Sequence, residues 1–215
     1  MEIRIAMRLT MAMSVVACST SAGEPSEQAW YRVNVHMSTK QGVSLRAGLL
    51  WDSQATASAI FTKIGIQLTW RTSRQRPAPK DLAEGAGVLP TRELAIEVVP
   101  RAPDDLSDYA LAMAIPYADS RVRIVIFYDR MESMLKGQCA PQAVILGYVL
   151  ADEIGHVLQG IARHSETGIM RARWTKDDFT RMSTVGLTFT TEDIQLIRQA
   201  VPVVHASSDL PKTKL

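Results

Sequence analysis

The sequence predicts an α+β fold, one domain in which helices pack on a mixed sheet. Three observations carry this. Strand and helix patterns follow one another as strand, helix, several strands and then a further helix. That last helix, at 141–159, is apolar on nearly every side and so belongs in the interior. The 215 residues are 47% hydrophobic and 21% charged, enough apolar surface for a real core.

Tyr31 to Met37 alternates apolar and polar residues, the pattern of a half-buried strand. Ser44 to Lys63 has helical periodicity, with Leu45, Leu49, Ala55, Ala59 and Ile60 as inward candidates, and Gly65 closes it. Ile66 to Trp70 and Leu94 to Val99 read as strands on either side of an Arg-, Pro- and Gly-rich loop from Thr72 to Pro90. After a loop from Arg101 to Ser107, Tyr109 to Pro116 and Val122 to Tyr128 read as two strands joined by a polar turn around Asp119-Ser120. Asp129 to Lys136 is a short helix. Pro141 opens the long helix and Gly160 follows its end, the usual asymmetry of helix boundaries. A final helix starts near Thr191, where Glu192 and Asp193 suit the positive helix end, and runs through Ile194, Leu196, Ile197 and Ala200. The tail from Ser207 is polar, and the chain contains no internal repeat.

Composition excludes several classes. Lys+Arg 24 against Asp+Glu 22 leaves +2, no basic excess of the kind that binds nucleic acid. Two cysteines, Cys18 and Cys139, make neither a disulfide scaffold nor a CxxC pair. No apolar run is long enough to cross a bilayer as a helix.

Residues 1–22 read as a signal peptide, followed by a single domain over 23–215. Arg4 and Arg8 precede an apolar stretch from Leu9 to Ala17, and small residues follow. Thr20-Ser21-Ala22 offers a cleavage site, while Val15-Val16-Ala17-Cys18 has the form of a lipobox that would put a lipid anchor on Cys18. The expected location is therefore outside the cytoplasm: periplasm, cell envelope or extracellular space.

The long helix contains charges where none belong. Asp152, Glu153 and His156 sit amid Val149, Leu150, Ala151, Ile154, Val157 and Leu158. A buried carboxylate is costly unless it is paired or binds a metal. Asp152 and His156, at i and i+4, share a face, and Glu153 lies about 100° round the helix. Two ligands at that spacing with a carboxylate beside the first is the arrangement a zinc hydrolase uses. Past Gly160 the chain can return His164 as a third ligand, leaving a fourth position open for water. The bland alternative pairs Asp152 with Arg163, Arg171 or Arg173. Tyr148, four before Asp152, can reach its carboxylate or send its hydroxyl to solvent, and Gly155 suits close packing against the sheet.

The segment Ala151 to Met170, ADEIGHVLQGIARHSETGIM, resembles the active-site segment of metzincin-type zinc metallopeptidases. It is most similar to small secreted bacterial members that carry His-Glu-Ile-Gly-His, a Gly, a later His-Ser and Gly-Ile-Met. The resemblance implies a zincin fold, with a mixed sheet, a long active-site helix and a C-terminal helical subdomain. It implies Glu153 as general base, His156 and His164 as ligands of one zinc ion, and Met170 as the Met-turn beneath the metal. It also implies that Val122 to Arg130 holds the edge strand along which a peptide or protein substrate lies. Asp152 departs from the pattern, standing where the family has its first zinc-binding His. Aspartate binds zinc but is shorter, adds negative charge and tilts preference towards manganese or magnesium. Weaker metal binding and slower hydrolysis follow. The other expectation is a degenerate zincin serving as a binding or structural protein of the cell envelope. A third is an unrelated exported domain.

Overall fold

The computed structural model describes residues 29–72, 89, 91–106, 110–114, 122–136 and 140–201. Residues 1–22 with Cys18, Cys139, the Asp119-Ser120 turn and the polar tail lie outside them, as does most of the loop expected between Thr72 and Pro90.

Among the described residues there are five strands and five helices in the order β1 (Tyr31–Thr39), α1 (Ala47–Thr62), β2 (Ile66–Thr72), β3 (Thr91–Val99), β4 (Ala112–Ala114), β5 (Val122–Phe127), α2 (Tyr128–Leu135), α3 (Gln142–Gln159), α4 (Lys176–Met182) and α5 (Thr191–Ala200). The strands form one mixed sheet ordered β2-β1-β3-β5-β4. β1 pairs in parallel with β2 and β3, and β3 in parallel with β5. Only β4 runs antiparallel.

One sheet face carries the core. Tyr31, Val33, Val35 and Met37 of β1 meet Leu94, Ile96 and Val98 of β3 and Ile124 and Ile126 of β5, all buried. The alternate residues face outward and pair with one another: Arg32 donates to Gln67 (3.1 Å), Asn34 to Glu93 (2.7 Å), and Lys40 meets Glu97 (2.9 Å). This period-2 split places the helices on a single face.

α1 bridges the parallel neighbours β1 and β2 and packs against α3. Its inward stripe is Ser53, Gln54, Ala57, Ile60 and Phe61. Of the expected residues only Ile60 is buried; Leu45 and Leu49 are half-buried, and Ala55 and Ala59 face solvent. The polar Ser53 belongs inside because α3 comes so close there. A Cβ on Gly147 would stand 2.5 Å from Thr56 Cβ and 2.9 Å from the Ser53 carbonyl oxygen. Gly147 is what lets the two helices approach.

The expected edge strand is an inner one. β5 lies between β3 and β4, and the edge is Ala112–Ala114. Strand order is set by pairings between distant segments, and the apolar run of β5 is what a strand with neighbours on both sides shows.

α3 starts after Pro141 and ends at Gly160, whose φ of 70° is the left-handed turn glycine permits. α4 and α5 follow and pack against α3. Each opens on a reciprocal capping box, Thr175 with Asp178 and Thr190 with Asp193. No helix among the described residues is long and apolar enough to cross a membrane.

Candidate functional site

The site stands on the C-terminal half of α3. Ala151, Ile154, Val157 and Leu158 are fully buried and hold the helix against the sheet. Gly155 fits for a different reason than expected: its Cβ would come within 2.7 Å of Met170 Sδ and 3.1 Å of Phe189. The helix is bare there so that Met170, itself fully buried, can lie against it.

After Gly160 the chain turns back. Ser165 N–H donates to the Met170 carbonyl (2.7 Å), and Ile169 N–H to the Thr188 carbonyl (3.1 Å). Gly168, at φ 81°, lies so close to Thr188 that a Cβ would meet its carbonyl oxygen at 2.4 Å. Trp174 Nε1 then donates to the Ile169 carbonyl (3.2 Å), anchoring the exit. This loop brings the exposed His164 to His156, ring edge against ring face, with centroids 5.0 Å apart.

Asp152 Oδ1 lies 3.8 Å from His156 Nε2, too far for a hydrogen bond. Asp152 Oδ1 and His156 Nδ1 are buried, and neither has a hydrogen-bond partner among the described residues. Of the three arginines expected to neutralise Asp152, two are engaged elsewhere, Arg163 with Glu192 and Asp193 and Arg171 with Asp178, while Arg173 lines the same cleft as Asp152. Tyr148 does not reach it either. Its buried hydroxyl accepts the Leu187 N–H at 2.9 Å.

Electrostatics follow from that isolation. Burial, then the nearby Glu153 and Asp193, push the Asp152 carboxyl well above the usual carboxylate range. Burial pushes Glu153 up to about 8, against a hydrogen bond from the Ala114 backbone. Burial and then His164 hold His156 below the ordinary histidine range, in the neutral form that binds metals. A nearby cation would reverse the carboxyl shifts.

Asp152, Glu153 and His164 open onto a cleft of about 790 Å³. Its walls come from Ala110 to Ala112 at the sheet edge, from Arg130 and Met134 of α2, and from Arg171 to Trp174. Arg130 braces the edge by donating to the Ala110 (3.3 Å) and Leu106 (3.2 Å) carbonyls.

The donor set fits a metal ion in part. Ligand distances of about 2.0–2.2 Å allow Asp152 Oδ1 and His156 Nε2 to share one ion. His164 stands next to this pair. Among the described residues, no group of three or more His, Cys, Asp or Glu converges closely enough to hold a metal.

Sequence reasoning passed over two contributors. Ala114 meets Glu153 from the edge strand, a non-local contact with no sequence signal. Asp193 does have one: Thr190-x-x-Asp193 before an apolar stretch is a capping box, a more specific signal than helix-end charge.

No family model matches the chain, and no curated protein matches it significantly. Among solved structures, it is similar to a zinc-dependent peptidase from Methanocorpusculum labreanum (strain Z), at 14% identity and a TM-score of 0.48. That match covers 77% of this chain and 99% of the other.

Proposed function

We propose that the chain is an exported metal-dependent hydrolase of peptide bonds, metzincin-like, in which Asp152, His156 and His164 hold one zinc ion and Glu153 is the general base. The observation that carries this is the orphaned Asp152 Oδ1, buried 3.8 Å from His156 Nε2 beside an open cleft. A buried carboxylate oxygen without a donor is costly unless a cation meets it. Export is supported by Arg4, Arg8 and the apolar stretch that follows them.

Bound zinc would supply Lewis acidity. The chain's own residues supply the rest. The Glu153 carboxylate takes a proton from the attacking water and returns it to the departing amine. Burial tunes it towards neutral pH for that exchange. β4, the sheet edge beside the cleft, offers backbone groups to an extended peptide, and Ala114 ties this edge to Glu153. Met170 fills the space against Gly155, holding the 165–170 loop on the helix that carries Glu153 and His156. The carboxylate at Asp152 weakens the Lewis acidity and favours slow turnover.

A second reading is favoured by the absence, among the described residues, of three or more ligand side chains close enough to hold a metal: a degenerate zincin that binds in the cell envelope and does not hydrolyse. Substitution separates the two. Under the enzyme reading, Glu153→Gln keeps bound zinc and loses peptide hydrolysis. Under the degenerate reading, wild type cleaves nothing in a mixed peptide library, and Asp152→His raises zinc affinity.

A further inference from the structure

Asp193 is fully buried, yet its carboxylate is crowded with donors. Its two oxygens have separate work. Oδ2 accepts the Thr190 N–H (2.9 Å) and hydroxyl (2.7 Å), which starts α5. Oδ1 turns the other way, taking the Ser165 hydroxyl at 2.6 Å, Arg163 Nη1 at 3.1 Å and Gln159 Nε2 at 3.5 Å. Arg163 also donates to Ser165 Oγ (3.2 Å) and reaches Glu192 with its other nitrogen.

Arg163 and Ser165 flank His164. Both are drawn to the same carboxylate oxygen, on the α5 side of the loop. Both neighbours of His164 are thus held on α5, which fixes the backbone that carries it, and the His164 ring lies against His156. Gln159, from the last residue of α3, fixes the distance between the helix that carries His156 and this anchor.

We infer that Asp193 is the positioning residue for His164: one carboxylate oxygen, acting through Ser165 and Arg163, sets the direction of the third ligand, while the other caps a helix. This rests on His164 being a ligand. Groups that orient metal ligands typically contribute 10–100-fold in affinity.

The experiment uses the mature chain without a histidine tag. Zinc affinity is measured by competition titration, stability by urea denaturation. In the metal-free protein, the proton–proton Overhauser contact between the His156 and His164 rings is recorded by NMR. Ser165→Ala and Asp193→Asn are expected to lower zinc affinity about ten-fold or more and to lose the ring contact. Thr190→Val, which disturbs only the capping oxygen, is expected to lower the urea midpoint and leave both readouts unchanged. Zinc affinity and ring contact unchanged in Ser165→Ala would overturn the inference, even if Asp193→Asn fails to fold. Loss of both in Thr190→Val to the same extent as in Ser165→Ala would also overturn it, since the effect would then be general loosening. Failure of the wild type to bind zinc would count against the proposed function instead, and the ring contact would still decide this inference.

Discussion

Asp193 and Asp152 are both carboxylates withdrawn from solvent, and the fold treats them in opposite ways. Asp193 receives donors from Ser165, Arg163, Gln159 and Thr190. Burial pushes its carboxyl up, but the Ser165 and Thr190 hydroxyls, the Thr190 N–H and Arg163 outweigh that and hold it below its ordinary range. Asp152 has an oxygen, Oδ1, with no donor among the described residues, and burial pushes its carboxyl well up. The chain is therefore able to satisfy a buried carboxylate with its own groups, and among the described residues none does so at Asp152 Oδ1. That contrast is the support for the proposal that a cation sits between Asp152 and His156.

The largest break in the comparison is Asp193→Ala. It removes both the cap and the partner of a partly buried Arg163, and the expected loss is about 3–5 kcal/mol in urea denaturation. A second change works in the opposite direction. With a pKa of about 8 against an ordinary 4.5, folded Glu153 keeps a proton that the unfolded chain has already released. Stability of the metal-free protein therefore falls as pH rises from about 4.5 to about 8. Asp152, shifted the same way, adds to that slope, so Glu153→Gln is expected to reduce it and to raise metal-free stability at pH 8 by about 1–3 kcal/mol. A slope as steep in the variant as in wild type would mean that Glu153 is not the group responsible.

The smallest effect sharpens the contrast between the two capping boxes. Asp178 takes Thr175 N–H, Thr175 hydroxyl and Arg171 all on Oδ2, each at 2.8 Å. Burial raises its carboxyl, but the Thr175 N–H and hydroxyl and Arg171 outweigh it, so the net shift is downward. Asp178→Asn is expected to cost about 1 kcal/mol, a cap's worth, without touching zinc affinity. Because both carboxyls lie below their ordinary 3.8 when folded, their contribution holds above that pH and is lost as pH falls through the folded values. Acid denaturation followed by circular dichroism should start at higher pH in wild type than in Asp178→Asn or Asp193→Asn when each is scaled to its own neutral stability.

Much of the site was legible in the sequence because its signals are local. The apolar run with Asp152, Glu153 and His156 inside it, the Gly160 stop and the acidic start of α5 all lie within one or two helical turns. What was not legible depends on distant partners. The edge strand at Val122 to Arg130 was implied by the resemblance alone, and the pairing of β5 with β3 on one side and β4 on the other places it inside the sheet. Tyr148 four before Asp152 suggests a contact that the Leu187 amide claims instead. The inward face of α1 depends on Gly147, about ninety residues on, which admits Ser53 and Thr56 to a close helix crossing. Arg163 could be paired with Asp152 on sequence distance alone, and it goes to α5.

The most direct test of a cation at Asp152 is zinc content by elemental mass spectrometry on untagged protein starting near Gly23. The account predicts about one zinc per chain, lost in Asp152→Ala and in His156→Ala. No zinc after supplementation, or zinc that persists in both variants, would contradict it.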